Sequence, residues 1–233
     1  MFKPVAFPSE NSQSYIYRTL KQNIIALCLK PGTGISETEL TAAFNMSRSP
    51  VRGALSRLQV EGLVVIEPQR RTSVAKIDAE YTRQASFTRN LIETELAGEV
   101  IRNGDEKRLC RELSGALETA EELFARKGTT LDEESFYELL NADRQFHGAI
   151  YTAANRAKLL ECMQMPYLHY TRFQSLHLRR QITDDSFISH HQELIDLIRA
   201  RDIAAIHARS ESNIEHAKQV LQREIALNPD YFC

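Results

Sequence analysis

The chain has 233 residues, enough for one or two domains at about 150 residues each. At 42% hydrophobic and 26% charged it sits near globular averages, which excludes wholesale disorder, and no run of 18 apolar residues offers a membrane span. Residues 1–76 carry ten Lys/Arg against five Asp/Glu and the remainder 19 against 26, so the first third is the part suited to a polyanion.

The opening MFKPVAFPSENSQ lacks the charged region and apolar core of a secretory signal. Cys28, Cys110, Cys162 and Cys233 form no CxxC pair, which suggests reduced thiols and a cytoplasmic location. Over 14–29, Ile16, Leu20, Ile24 and Leu27 fall at helical spacing, and Pro31-Gly32 stops that helix. Ser36 and Glu39 read as a capping box opening a short helix over 37–44. After the Asn45-Met46 turn, Ser47 is placed to cap a third helix carrying Val51, Leu55 and Leu58, which Gly62 ends. Two short strands, 63–66 and 72–75, flank a turn at Pro68–Arg71.

Three helices and a two-stranded hairpin describe a winged helix-turn-helix, whose third helix enters the major groove by its N-terminal end. Here that end is Ser47-Arg48-Ser49-Pro50-Val51-Arg52. Arg48 and Arg52 lie one turn apart on one face, able to read guanine or grip phosphate, while the serine hydroxyls suit phosphate. Thr38 joins these as a candidate DNA contact, and Gln69, Arg70 and Arg71 form a basic wing tip. Solvated helix charge is the bland alternative for the arginines.

From Pro31 to Val64 the run PG-x(2)-ISETEL-x(7)-SRSPVR-x-ALSRLQVEGLV resembles the DNA-binding domain of the GntR family of bacterial transcription regulators. The resemblance implies a dimer on a pseudo-palindromic, double-stranded DNA operator. Two positions depart from the family pattern: Gly53 replaces an acidic residue, and Arg71 stands where the wing turn tends to have glycine.

Beyond Ile77 strand signals cease, and caps and glycine stops outline about six helices: 78–103, 105–127 (stopped by Gly128), 132–152, 155–170, 184–200 and 202–225. Polar residues interrupt their apolar seams: Arg89 in the first, Asp143 and His147 in the third, His191 in the fifth, Ser210 and Asn213 in the last. Buried unpaired polar groups are costly, so these point to one shared pocket. Asp143, His147 and His191 would offer O, N and N ligands to a divalent metal, with zinc the first candidate and nickel, manganese or iron the alternatives. The competing reading is core histidines hydrogen-bonded to Asp143, with Arg89 paired to Glu93 one turn on. Tyr167, Tyr170, Arg172 and Gln174 are further candidates for the pocket wall, their phase hidden by Pro166.

DRQFH at 143–147 and HQELIDLIRARD at 191–202 are similar to the FCD effector domain of the FadR subgroup, nearest its VanR-like branch. That resemblance implies a metal held by Asp143, His147, His191 and a fourth ligand falling on Asn213, where the family has histidine. It also implies that Arg89 faces the carboxylate of a small metabolite effector. His190 is expected to point about 100° away from His191, towards the surface, and His216, one turn beyond Asn213 and about 5 Å along the helix, to be a poor substitute for the fourth ligand. The expected fold is therefore mainly α: a winged helix-turn-helix (1–76), a linker (77–80) and an all-α effector-binding and dimerisation domain (81–233). The expected function is a ligand-responsive repressor of a catabolic operon, acting as a homodimer without membrane contact. A metal-free architectural DNA-binding dimer and a small metalloenzyme are the alternatives.

Overall fold

Ile16, Leu20 and Ile24, all fully buried, fix the inner face of α1 (Ser12–Ile25). The helix begins where Asn11 Oδ1 accepts from the Ser14 N–H at 2.9 Å. The computed structural model that shows this describes residues 9–127, 131–181 and 184–233. The inner face of α1 packs on α3 (Arg48–Val60) through Val51, Ala54, Leu55 and Leu58. Between them in sequence, α2 (Glu37–Phe44) starts at Ser36, whose Oγ accepts from the Glu39 N–H, and ends on left-handed Asn45. Ser47 occupies the N-cap position of α3, but its hydroxyl makes no cap bond, contrary to expectation.

The hairpin pairs β2 (Val64–Glu67) with β3 (Arg71–Val74) antiparallel, Val64 opposite Val74 and Glu67 opposite Arg71. A third strand, β1 (Gly34–Ile35), covers the other edge of β3. Two residues are too few to show an alternation, so the sequence does not announce it. Gly62, at φ +72°, makes the left-handed exit from α3.

The rest is helical: α4 (Ala79–Asn103), α5 (Glu106–Lys127), α6 (Glu133–Ala153), α7 (Lys158–Cys162), α8 (Gln164–Gln181), α9 (Asp184–Arg199) and α10 (Ile203–Leu227). Aspartates 78, 105, 132 and 202 cap α4, α5, α6 and α10 by accepting N–H groups of the first turn. The stop expected at Gly128 lies outside the described residues. The single helix expected over 155–170 is instead two. Left-handed Asn155 follows the end of α6, and Pro166 sits in the first turn of α8, where its missing N–H costs nothing. The chain therefore restarts near the proline and stays helical to Gln181.

Helix α4 is central, packed on α6, α8 and α10, while α5 lies against α6 and α9. Leu109, Leu113, Leu139, Ile150 and Ile195 are fully buried in the core among these helices, each such side chain contributing about 1.5–3 kcal/mol. Two further clusters cross between the halves. One joins the N-terminal helices to Phe136, Leu140 and Leu168, the other joins Leu27 and Ile77 to Phe173, Val220 and Phe232.

Helix α8 also makes the polar ties. Arg172, fully buried, donates from Nη2 to Ala75 O at 2.5 Å and, at 3.5 Å, from Nη1 to Lys76 O. Arg179 donates to Ala26 O at 2.9 Å, and His169 Nδ1 accepts the Asp78 N–H at 2.9 Å. Arg172 thus faces away from the pocket wall considered for it.

Candidate functional site

Ser47, Arg48 and Ser49 are exposed at the open end of α3, with Pro50 half-buried and Arg52 exposed one turn on. Among the described residues Arg48 makes no ion pair. Arg52 Nε donates to Glu37 at 2.8 Å, but both partners meet solvent and such a pair contributes at most about 1 kcal/mol. A phosphate or base can therefore take that arginine. Thr38 is exposed beside Glu37. At the hairpin tip Gln69, Arg70 and Arg71 are all exposed. The left-handed residue of this turn is Gln69 (φ +60°), not Arg71, so arginine in place of glycine brings no backbone strain. A Cβ on Gly53 would stand 2.6 Å from the Gln13 amide, so an acidic side chain there requires Gln13 to swing away.

Helices α4, α6, α8, α9 and α10 enclose a cavity of about 320 Å³, near the lower end for small-ligand sites. Arg89, Asp143, His147, His191 and Asn213 all line it. Ligand atoms of Asp143, His147 and His191 lie within 4.8 Å of one another. Ser210 does not contribute: its hydroxyl donates to Asn90 O at 3.2 Å and ties α10 to α4.

The partners of the two imidazoles assign their protons. His191 Nδ1 lies 2.8 Å from Phe187 O, which only accepts, so Nδ1 carries the hydrogen. His147 Nδ1 lies 2.7 Å from Glu93 Oε2. Burial raises the Glu93 carboxyl, but the neighbouring His147 and Arg89 outweigh this and hold it below the ordinary range, so it too accepts. Burial and then Arg89 lower His147, keeping it neutral. In the neutral rings both Nε2 atoms then carry lone pairs, whereas a second proton on His191 Nε2 donates to Asp143 Oδ1 at 3.2 Å. Both face Asp143 Oδ1, at 3.2 Å from His191 and 3.7 Å from His147. Burial opposes ionisation of Asp143, yet His147 and His191, each through a proton on Nε2 or a cation in its place, and Arg89 hold it well below the usual carboxylate range.

Three acceptors thus converge on one point, with the outer nitrogen of each histidine pinned by a carbonyl or a carboxylate. In the neutral rings such an arrangement repels itself unless a proton or a metal cation sits at its centre, and it has the donor set and outer support of a metal site. These residues fit a divalent ion. Asn213 lines the cavity, but among the described residues no hydrogen bond joins it to the three.

Arg89 is 4% exposed. Its Nε donates to Glu93 Oε1 at 3.0 Å and its Nη2 lies 3.8 Å from Asp143 Oδ2. Its Nη1 is buried without a hydrogen-bond partner among the described residues. The expected ion pair with Glu93 therefore exists and still leaves a donor unused. A buried, unused guanidinium donor calls for an anion.

Tyr170 and Gln174 line the cavity, with the Tyr170 ring 5.2 Å from the Arg89 guanidinium carbon. Sequence reasoning places His190 at the surface, gives His216 only as a poor fourth ligand and does not single out His177 or Arg209, yet all four line the cavity. The phase of His177 was hidden by the displaced start of α8.

Comparison with known proteins matches two family models: "Bacterial regulatory proteins, gntR family" over residues 12–74 and "FCD domain" over 84–216, the latter more than half of the chain. The HTH-type transcriptional repressor RspR of Escherichia coli (strain K12) is 27% identical over 225 residues, covering 97% of this chain and 95% of its own. An HTH-type transcriptional regulator in an unstable DNA locus of Streptomyces ambofaciens is also 27% identical, over 94% of this chain and 88% of its own. Among solved structures, a GntR transcriptional regulator from Rhodococcus sp. RHA1 superposes with a TM-score of 0.71 at 22% identity, covering 90% of this chain and 97% of that one. The E. coli McbR/YncC structure gives 0.67 at 20% identity, over 92% and 99%.

Proposed function

The chain belongs to the gntR family of bacterial regulatory proteins and joins that family's DNA-binding domain to an FCD domain, and on this premise we propose that it is a metal-dependent repressor released from DNA by a small carboxylate. It is a DNA-binding transcription regulator and not an enzyme, as its relatives are. The observation that carries the proposal is the pairing, in one cavity, of three converging acceptors with the unused Arg89 donor. Two ionised carboxylates, Asp143 and Glu93, face one guanidinium there, so the cluster is short of positive charge. A divalent ion on Asp143, His147 and His191 reverses that sign and leaves room for a carboxylate shared by the ion and Arg89. Zinc suits two imidazoles and a carboxylate, and Asn213, which lines the same cavity, offers an amide oxygen as the fourth ligand.

The reading head uses Ser47, Arg48, Ser49, Pro50 and Arg52, with Thr38 beside them and Gln69, Arg70 and Arg71 at the wing. The division from the effector domain falls at 77–80. A homodimer formed by the effector domains, with Phe87 and Leu91 exposed on one stripe of α4, sets two heads on a pseudo-palindromic operator. The location is cytoplasmic. Coupling runs through α8, one face of which lines the cavity while the other holds Ala75, Lys76, Asp78 and Ala26. A ligand that favours one placement of α8 shifts the heads only by as much as it prefers that placement.

Genomic fragments retained by the purified, zinc-loaded protein at near-physiological salt should enrich one short palindromic site. Elution of those fragments by a small carboxylate supports the reading. Retention of the same site whatever carboxylate is added, or equal retention of unrelated DNA, counts against it.

A further inference from the structure

The cavity has a second polar pole, away from the metal cluster, and it is chemically unfinished. On α8, His177 stands seven residues after Tyr170, two turns along the same face, which puts it about 10 Å from the Arg89 end. Its Nδ1 is buried and has no hydrogen-bond partner among the described residues. Glu224 Oε1 lies 3.8 Å away, also buried and also without a hydrogen-bond partner among the described residues. Glu224, on α10, is fully buried, and its other oxygen is held by Asn228 at 3.3 Å and approached by Arg180 at 3.5 Å.

Two buried polar atoms that face each other without bonding are costly, even though the His177 ring as a whole is partly exposed. Neither neutral tautomer repairs the pair. With hydrogen on Nε2, a lone pair on Nδ1 faces a carboxylate; with hydrogen on Nδ1, the contact is too long and Nε2 has nothing to offer a ligand anion. An imidazolium replaces that long neutral contact with a charge–charge attraction to Glu224, which needs no hydrogen-bond distance, and leaves its Nε2–H free to donate to an anion. Burial disfavours that cation. An oxyanion arriving at Nε2 supplies the missing counter-charge. His216 lines the same end of the cavity and adds a second imidazole to it.

We infer that the ligand of this cavity is a compact dianion, its first carboxylate at Arg89 and its second oxyanion at His177, which Glu224 backs, beside His216. This rests on the carboxylate reading of the Arg89 end. The second group is a carboxylate or a phosphate ester, since both offer the same acceptor. His177 is then the residue that separates dianions from monocarboxylates of equal length, and a volume of about 320 Å³ confines the ligand to small acids.

The test titrates the full-length, zinc-loaded protein with butanedioate and pentanedioate, with butanoate and pentanoate, and with 3-phosphoglycerate, read by calorimetry and thermal melting. Dianions are expected to bind at least tenfold tighter than the matched monocarboxylates. Whether dicarboxylates or the phosphorylated acid win identifies the second group. His177→Leu should remove that preference and leave monocarboxylate affinity within threefold, while His177→Gln, which keeps an N–H, should retain part of it. Should the leucine variant not fold, His216→Ala and His177→Gln carry the comparison, each expected to narrow the preference. Equal binding of mono- and dianions by the wild-type protein, or equal loss of both in the variants, overturns the second pole alone. Binding of neither class overturns the carboxylate reading and this inference with it.

Discussion

Replacing Arg89 with methionine removes the one guanidinium that the metal cluster contains while keeping a long side chain in its place. Arg89 bonds Glu93 at 3.0 Å and stands 3.8 Å from Asp143, and all three side chains are at most 11% exposed. Without it the two buried carboxylates keep, among the described residues, the imidazoles of His147 and His191 and the more distant charge of Arg209. Breaking a buried ion pair from one side costs about 3–5 kcal/mol, because the remaining charge is left uncompensated. For a chain of this size about 1 kcal/mol corresponds to roughly 2–4 °C, so the metal-free variant should melt about 6–20 °C below the metal-free wild type. A divalent ion on Asp143, His147 and His191 supplies the missing positive charge. Zinc should therefore raise the melting temperature of the variant by more than it raises that of the wild type. Differential scanning calorimetry on both proteins, with chelator and with excess zinc, gives the four values needed. An unchanged melting temperature in chelator, or a zinc increment no larger in the variant, refutes the charge balance argued for the cluster.

His147→Ala combined with His191→Ala should abolish retained metal, and stoichiometric metal by elemental analysis after dialysis would falsify the site. Arg48→Ala and Arg52→Ala should each weaken operator binding by about 1–3 kcal/mol and relax base preference at one position per half-site, read by anisotropy across single-base operator variants; wild-type affinity in both sinks the reading-head assignment. Arg172→Leu should leave metal and carboxylate binding intact but uncouple them from DNA, so that ligand no longer changes operator affinity; a normal ligand response removes α8 from the coupling path. His169 gives a pH signature. Burial and then Arg172 push it down to about 4, because its Nδ1 must stay unprotonated to accept the Asp78 N–H. The unfolded chain then takes up the proton first, so stability falls as pH drops from about 6.5 towards 4. His169→Gln should flatten that slope in melting curves recorded from pH 7.5 to 4.5, and an unaltered slope contradicts the assignment.

Much of this was legible in the residues. The caps at Ser36, Asp78, Asp105, Asp132 and Asp202 and the spacing of Ile16, Leu20 and Ile24 are local signals, and local signals survive folding. The cavity was legible for a related reason: Arg89, Asp143, His147, His191 and Asn213 each break an apolar stripe, and a stripe's direction follows from helical periodicity alone. What failed was phase and long-range pairing. Pro166 was read as a disturbance inside a helix, whereas it opens α8, and the error hid the face that His177 presents. His190 was judged by its angular distance from His191, but a cavity walled by five helices accepts a wider arc than a packed seam. The two-residue β1 exists only because β3 offers it an edge. Nothing local in Arg172 or Glu224 announces burial, since both acquire their surroundings from segments more than 40 residues away or from another helix.

The central claim is that what binds between Arg89 and the metal cluster governs the reading head. Its most direct test is the operator affinity of the zinc-loaded protein, measured by fluorescence anisotropy with and without a saturating small carboxylate that calorimetry has shown to bind. Release is predicted: the dissociation constant should rise at least tenfold, a coupling of about 1.4 kcal/mol, and chelation of the metal or Arg89→Met should erase the change. An operator affinity that stays the same while the carboxylate demonstrably occupies the cavity would contradict it.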